Sequence, residues 1–370
     1  MREGWEYKKL GDVCQVVSGS TPKTNISEYW DGNYPWVTPA ELKGDVYISD
    51  TARHITEEAI AHTNLTLLPI GTVLLSSRAP IGKVAITTIE MYCNQGFKNL
   101  ICSDAINNKY LYLWLSGKTE YLNSLGRGAT FKEISRTIVE NVIIPLPPLS
   151  IQKSIVTELD KINELIRLKK EQLEDYDNLA QSIFYEMFGD PVVNEKGWEV
   201  KRITDLCVEI SAGGDASKHE IKKTKDEIFS VPVYSNGIDE DGLYGYSNHA
   251  TIIQPAITLA ARGTIGAAFI RTEPYIPIIR LVSVIPDLSK ISLIYLLYIL
   301  KQTEWDRTGG TIPQLPVPKV KQLTLPLPPL PLQQAFAQRI ELIKKQTAEI
   351  KSAIADLETL LASRMQYWFD

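Results

Sequence analysis

The sequence predicts an α+β protein: two tandem mixed α/β domains joined by two long helices that pair as an antiparallel coiled coil, a pseudo-two-fold repeat. Three observations carry that prediction. The chain matches itself at three ordered places, each half opens with short β-rich runs broken by turn residues, and each half closes in a long seam of apolar residues spaced four and three apart. A length of 370 residues suits two domains, or one large domain with insertions. With 44% hydrophobic and 22% charged residues, a wholly disordered chain is excluded.

The repeat is read first, because it sets the frame for everything else. Gly4-Trp5-Glu6-Tyr7-Lys8-Lys9-Leu10 and the following GDVC match Gly197-Trp198-Glu199-Val200-Lys201-Arg202-Ile203 and TDLC, an offset of 193. Arg78-Ala79-Pro80-Ile81-Gly82 matches Arg262-Gly263-Thr264-Ile265-Gly266 at 184. Ile144-Pro145-Leu146-Pro147-Pro148-Leu149 with Gln152 matches Leu325-Pro326-Leu327-Pro328-Pro329-Leu330 with Gln333 at 181. The shrinking offset means that the second copy, 190–370, has shorter loops than the first, 1–189. Each copy divides again, giving expected segments 1–145, 146–189, 190–325 and 326–370.

Within the mixed parts, strands are expected at Thr72–Leu75, Lys83–Thr87 and Ala256–Ala260, punctuated by Gly, Pro and Asn. A short helix should follow near Asn108–Ser116 and again near Leu293–Lys301. The PLPPL run then stops what precedes it, because proline removes an N–H donor and restricts its neighbour. Beyond it the seam of the first copy runs Ile155, Leu159, Ile162, Ile166, Lys169, Leu173, Tyr176, Ala180, Ile183 and Met187. Its counterpart runs Phe336, Ile340, Ile343, Thr347, Ile350, Ile354, Leu357, Leu361, Arg364 and Trp368. A sustained a/d seam of this length favours a coiled coil over an amphipathic helix lying on its own domain. An intramolecular antiparallel pair buries both seams at once. At ~1.5 Å per residue such a rod spans ~54 Å, which is ~16 base pairs of duplex.

Catalytic patterns are missing from the sequence. There is no GxxxxGK[ST], HExxH, GxSxG or [ND]PP[YF] run, and Gly19-Ser20-Thr21 and Gly213-Gly214 form no dinucleotide fingerprint. His54, His62, His219 and His249 hold no equivalent positions in the two copies. Glu41-Leu42-Lys43, ten residues beyond Asp31, matches a nuclease E-x-K pattern but lacks a counterpart in the second copy. Cys14, Cys93, Cys102 and Cys207 lack CxxC or metal-ligand spacing and read as reduced thiols in a cytoplasmic protein. No secretory leader or membrane span is expected, the longest apolar run being Ile291–Leu300. The pattern is that of a binder.

Net charge is −5, which argues against a general polyanion binder, yet the two long blocks are nearly neutral and can still present a basic face. Arg78 and Arg262 recur beside glycine in a turn, where a guanidinium can reach a phosphate or fork onto a guanine edge, or brace the turn against a carboxylate. Gly126–Lys132 and Arg307–Pro313 are matched loops carrying hydroxyls and basic residues. Asn94-Gln95-Gly96-Phe97-Lys98 sets side-chain amides beside a cation. The Ser-, Asn- and Tyr-rich loops around Tyr234-Ser235-Asn236 and Tyr244–Asn248 are adaptable hydrogen-bonding surfaces. Trp36 and Tyr244 read as buried aromatics before DNA contacts, and Trp5 and Trp198 as structural plugs.

Taken together, GWEYKKLGDVCQVVSGSTP with YPWVTPAEL, GWEVKRITDLCVEISAGG with VPVYSNGIDEDGLYGY, the IPLPPLSIQKSIV and LPLPPLPLQQAFA runs and the SIFYEMFGD segment resemble the specificity (S) subunit of type I restriction–modification systems. The resemblance covers essentially the whole chain. It implies two target recognition domains, each reading one half of a split double-stranded DNA sequence, with the two helices setting the spacer. It implies no catalysis and no cofactor in this chain. Two methylation subunits would supply S-adenosylmethionine and methylate adenine, and two restriction (motor and nuclease) subunits would use ATP and Mg. A cytoplasmic location without membrane follows.

The DNA-contact set expected on this reading is Ser18, Ser20, Thr21, Arg78, Lys83, Lys98, Arg127, Thr130 and Lys132 in the first domain. In the second it is Ser211, Ser235, Asn236, Arg262, Thr264, Arg307 and Thr311. No metal or catalytic residue is expected. The alternative is a tandem protein-binding adaptor on a coiled-coil scaffold, which the negative net charge favours and the repeated arginine turns oppose.

Overall fold

The β-rich runs of the first copy build a five-stranded sheet in the order Cys14–Ser18, Lys98–Cys102, Val73–Leu75, Val84–Thr87, Tyr47–Ile48. In the second copy a four-stranded sheet follows the same order, Cys207–Ala212, Leu281–Pro286, Ala256–Ala260, Ala268–Arg271, without the last strand. Each copy adds a three-stranded sheet around Trp30–Val37 or Val231–Tyr234, and a two-stranded one. The latter pairs Glu6–Lys9 with Ile143–Leu146 and Glu199–Arg202 with Thr324–Leu327. The structure is a computed structural model and describes residues 4–78, 80–128, 132–305 and 314–370.

Contacts divide the chain into two compact units, Met1–Lys169 with Ala353–Asp370, and Lys170–Ser352. Both divisions fall inside the two 40-residue helices, Leu149–Phe188 and Leu330–Phe369. Each unit therefore holds one mixed domain, the near half of one long helix and the far half of the other.

In the first unit Ile155 and Leu159 are fully buried in a core shared with Leu361, Met365, Trp368 and Phe369. Glu158, near the start of its helix, accepts from Arg364 and from Trp368 Nε1 near the end of the other, so the two run antiparallel here. The Arg364 hydrogen bonds hold the Glu158 carboxyl below the usual carboxylate range. In the second unit Phe184 and Phe188, near the end of the first long helix, lie 5.6 Å and 5.3 Å from Phe336, near the start of the second. The helices are antiparallel there too.

The seam holds with a one-residue shift at the end of each helix; on the second, Phe369 is buried and the expected Trp368 is only half-buried. Ile162, Ile166, Ile340, Ile350 and Ile354 are buried, and Leu173, Ile343, Leu357 and Leu361 are half-buried. At the end of the first helix, however, the fully buried positions belong to Phe184 and Phe188, one residue beyond the expected Ile183 and Met187, which are only half-buried. A straight helix drifts ~20° per heptad against a 3.5-residue repeat. The helix end also packs on its own domain, where Tyr295 and Tyr298 each stand 5.8 Å from Phe184, so the buried stripe widens.

The sequence match after PLPPL has a mechanical reason. Gln152 is fully buried. Its Oε1 accepts the Asn107 N–H at 2.8 Å and its Nε2 donates to Pro147 O at 2.8 Å and Ala105 O at 3.1 Å. Gln333, equally buried, accepts the Ser292 N–H at 2.8 Å and donates to Pro328 O at 2.8 Å. Asn107 and Ser292 cap the helices Asn108–Ser116 and Leu293–Gln302. From those helices Tyr110 and Tyr295 donate their hydroxyls to Pro145 O and Pro326 O. One glutamine thus ties each long helix to the cap of its domain's own helix.

All four cysteines are free thiols, and burial pushes Cys93 and Cys207 up to about 12, so both stay protonated at neutral pH. Among the described residues no helix is long and apolar enough to cross a membrane.

Gln152→Leu strands a buried N–H and two backbone carbonyls, and Gln333→Leu a buried N–H and one, at about 1–3 kcal/mol per unpaired group. Each should lower the thermal midpoint of the chain measurably. An unchanged melting curve for both would refute the latch.

Candidate nucleic-acid interface

Two turns of the same construction carry the repeated arginines. Each needs a residue in the left-handed region, which glycine enters without strain, and Gly82 at φ 95° and Gly266 at φ 94° supply it. Their N–H groups close onto Ser76 O and Ala260 O, at 3.0 Å and 3.1 Å. The backbone just ahead of each arginine is then caught between two other segments. Ser77 N–H donates to Gly96 O at 2.7 Å while Ser77 O accepts from Ile134 N. Ala261 N–H donates to Arg280 O at 3.1 Å while Ala261 O accepts from Leu315 N. Arg78 itself pairs with Glu133 as an antiparallel bridge, and Arg262 pairs with Gln314.

A further glycine in each copy fixes the neighbouring loop. A Cβ on Gly19 would fall 1.8 Å from Asn94 O, and one on Gly213 would fall 2.6 Å from Ile278 O. Only glycine allows that approach. The next residues, Ser20 and Gly214, donate their N–H groups to Cys93 O and Pro277 O. The loop after Trp30–Val37 joins in through Asn94 N–H on Val37 O, matched by Ile278 N–H on Tyr234 O.

This frame brings most of the first-domain set together. Thr21 hydrogen-bonds Gln95 through its hydroxyl, and Gly96 next door lies beneath Arg78, whose Nε would stand 3.6 Å from a Cβ there. Lys83 Nζ donates to Pro39 O at 3.2 Å. Arg127 exchanges both backbone hydrogen bonds with Glu133 and, like Lys132, is exposed. Ser18 is exposed on the strand opposite Lys98, and Ser20 is half-buried, its carbonyl accepting from Trp36 Nε1.

Lys98 departs from expectation. It is 7% exposed, and its ammonium sits 3.1 Å from Glu133 Oε1 and 3.4 Å from Ser77 Oγ. With its ammonium committed to these two oxygens, it holds Glu133 in place and does not offer a charge to a phosphate.

In the second domain Asn236 Nδ2 donates to Arg262 O, and the Thr264 hydroxyl donates to Asn236 O, both at 2.9 Å. These bonds join Asn236, Arg262 and Thr264 into one cluster, Thr264 exposed and the other two half-exposed, with Ser235 beside it. Beneath it, the Arg271 guanidinium stacks 3.4 Å over Tyr234 and is itself buried, which lowers its pKa. Ser211 stands opposite Ser283, two residues before Gly213, and reaches the cluster only through that strand. Thr130, Arg307 and Thr311 lie outside the described residues.

The aromatics divide. Trp36 is buried as expected. Tyr244 is not: it is 40% exposed, on the outward face of the edge strand Leu243–Ser247, with the Lys223 ammonium 3.6 Å from its ring centre. Trp198 plugs its unit by donating to Phe188 O, and Trp5 lies parallel to Trp368. Sequence reading misses Arg280, exposed and adjoining Ala261 in the frame. A signal for it exists, since the offset of 184 that relates Arg78 to Arg262 carries Gly96 onto Arg280. Among the described residues no group of three or more His, Cys, Asp and Glu side chains is placed to hold a metal.

Both repeats have counterparts in known proteins. The model of the type I restriction modification DNA specificity domain matches residues 2–175 and 195–359, one match per repeat. The MjaIX specificity subunit of a type I restriction enzyme from Methanocaldococcus jannaschii is 33% identical, over 91% of this chain and 86% of its own length. A type I specificity subunit described as putative, from Mycoplasma pneumoniae, is 29% identical over 71% of each chain. Among solved structures, a chain from work on assembly and conformational transition of the type I R-M system superposes with a TM-score of 0.65 at 18% identity, covering 99% of this chain and 97% of that one. The S subunit of such a system from M. genitalium gives 0.55 at 15% identity, covering 99% and 96%.

If the two arginine turns face a phosphate backbone or base edges, Arg78→Ala and Arg262→Ala should each weaken DNA binding and reduce the salt slope by about one, without lowering thermal stability. Binding isotherms across a salt series check this. Wild-type affinity and slope in both variants would remove the arginines from the interface.

Proposed function

Because the chain belongs to the family of type I restriction–modification DNA specificity subunits, we propose that its two repeats each read one half of a bipartite double-stranded DNA target. It acts as the sequence-recognising component alongside methylation and restriction partners and carries out no chemistry of its own. The observation that supports this best is the duplication of the arginine turn with its surrounding frame. Arg78 and Arg262 sit on backbones held by the same hydrogen bonds, so one unit can evolve a new contact without disturbing the other. The adaptor reading gives way, since the family model matches both repeats.

The finer assignments belong to the same proposal. Two methylation subunits, binding S-adenosylmethionine and methylating adenine, would dock on the paired helices, where Leu165, Leu168, Leu179 and Leu342 are exposed apolar residues. Two restriction subunits using ATP and Mg would complete a cytoplasmic assembly. The contact surface would be Ser18, Ser20, Thr21, Arg78, Lys83, Arg127 and Lys132 in one domain. In the other it would be Ser211, Ser235, Asn236, Arg262, Arg280 and Thr264; Thr130, Arg307 and Thr311 are kept in the proposal from the sequence alone.

Single-molecule methylome sequencing of a host expressing this chain with its methylation subunit, with and without this gene, tests the proposal. A split motif of methylated adenines that disappears with the gene is the expected result. Methylation that persists unchanged without the gene would sink it.

A further inference from the structure

A carboxylate amid cations that are to face phosphates is a liability, and Glu133 is such a group. Its backbone pairs with both Arg78 and Arg127 in antiparallel β-bridges, which sets its side chain beside theirs, and that side chain is 41% exposed. Its carboxylate is held from below by Lys98, whose side chain is only 9% exposed. If bracing were its whole purpose, the second repeat would need the same pair. It does not have it. At the equivalent positions stand Gln314, whose backbone pairs with Arg262, and Val282, which has no charge to brace.

What the two positions share is a side-chain oxygen acceptor beside an arginine. In the first repeat the acceptor is a carboxylate, and a buried ammonium lies against it. In the second a neutral amide takes that place and no ammonium is needed. Arginine donors with an adjoining acceptor are what base edges in the major groove require, where the exocyclic amino groups of cytosine and adenine must find an acceptor.

We infer that Glu133 and Gln314 are the equivalent specificity-determining positions of the two domains. Glu133 accepts from the amino group of a cytosine in one half-site, and Gln314 pairs with the edge of an adenine in the other. Lys98 is a positioning residue for Glu133. The inference rests on the DNA-recognition reading above and goes one step further, to single base pairs.

The test uses the assembled complex with the methylation subunit, and duplexes that each carry one substituted base pair of the wild-type motif. Glu133→Gln should lose about ten- to a hundredfold of discrimination at one base pair of one half-site and keep it elsewhere. Gln314→Glu should do the same at one base pair of the other half-site. Discrimination profiles parallel to wild type would overturn the inference. So would an equal fall in affinity for cognate and non-cognate duplexes, the signature of a brace. The second variant has no Lys98 partner to lose, so loss of that ion pair cannot account for both. A wild-type complex with no preference among the duplexes would instead defeat the DNA-recognition reading, before either variant is measured.

Discussion

The side-chain amides of Gln152 and Gln333 each join three backbone segments inside a domain: the proline run, the start of a long helix and the cap of a short one. An amide has both a donor and an acceptor end, so it can satisfy an N–H and carbonyls together. A hydrophobic side chain of that size would leave those groups unpaired in the interior. The prolines contribute by having no N–H of their own, so the run brings carbonyls into the interior with fewer donors to satisfy. The packing of both units hangs on this join, because it sets the direction in which each long helix leaves its domain. A helix leaving at another angle would not present Ile155 and Leu159, or Phe336 and Ile340, to the cores they fill.

On top of that join sits a frame made almost wholly of backbone hydrogen bonds. The arginine turns, the Gly19 and Gly213 contacts and the bridges at Glu133 and Gln314 use N–H and C=O groups of the main chain. Side chains at these places are therefore free to differ between the copies. Gly96 corresponds to Arg280 across the repeat, Lys98 to Val282, and Glu133 to Gln314. The frame tolerates each exchange because none of its bonds runs through the exchanged atoms.

Much of this is legible in the amino-acid sequence. The three offsets announce the duplication, and the short helices at Asn108–Ser116 and Leu293–Gln302 lie where the apolar runs put them. The latch shows in the sequence only as a recurring glutamine; its role depends on the positions of Asn107 and Ser292, which are distant along the chain. Three expectations fail, each for a physical reason. Residue type alone makes Lys98 a phosphate contact, but its strand is covered on both faces there, Lys98 and Asn99 both being buried, and its ammonium is taken by Glu133. Tyr244 is aromatic enough to belong inside, yet an edge strand sends alternate side chains to solvent. A strict 3.5-residue period along the seam puts Ile183 where Phe184 belongs.

The charge of the chain fits this arrangement. A net −5 would be a poor starting point for a protein that wrapped DNA over its whole surface. It is no obstacle to one that meets DNA at two small, local clusters. Several cations elsewhere are taken up by neighbours: Lys109 by Asp160, Arg364 by Glu158, Lys222 by Asp226, Lys290 by Asp287. Such pairs give the surface little general attraction for a polyanion, while Arg78, Arg127, Lys132, Arg262 and Arg280 remain at the repeated turns. A weak overall field lowers affinity for arbitrary sequence without touching the local contacts. For a protein whose task is to distinguish one site from many, a low background of non-specific binding is an advantage, and an acidic chain with localised arginines obtains it.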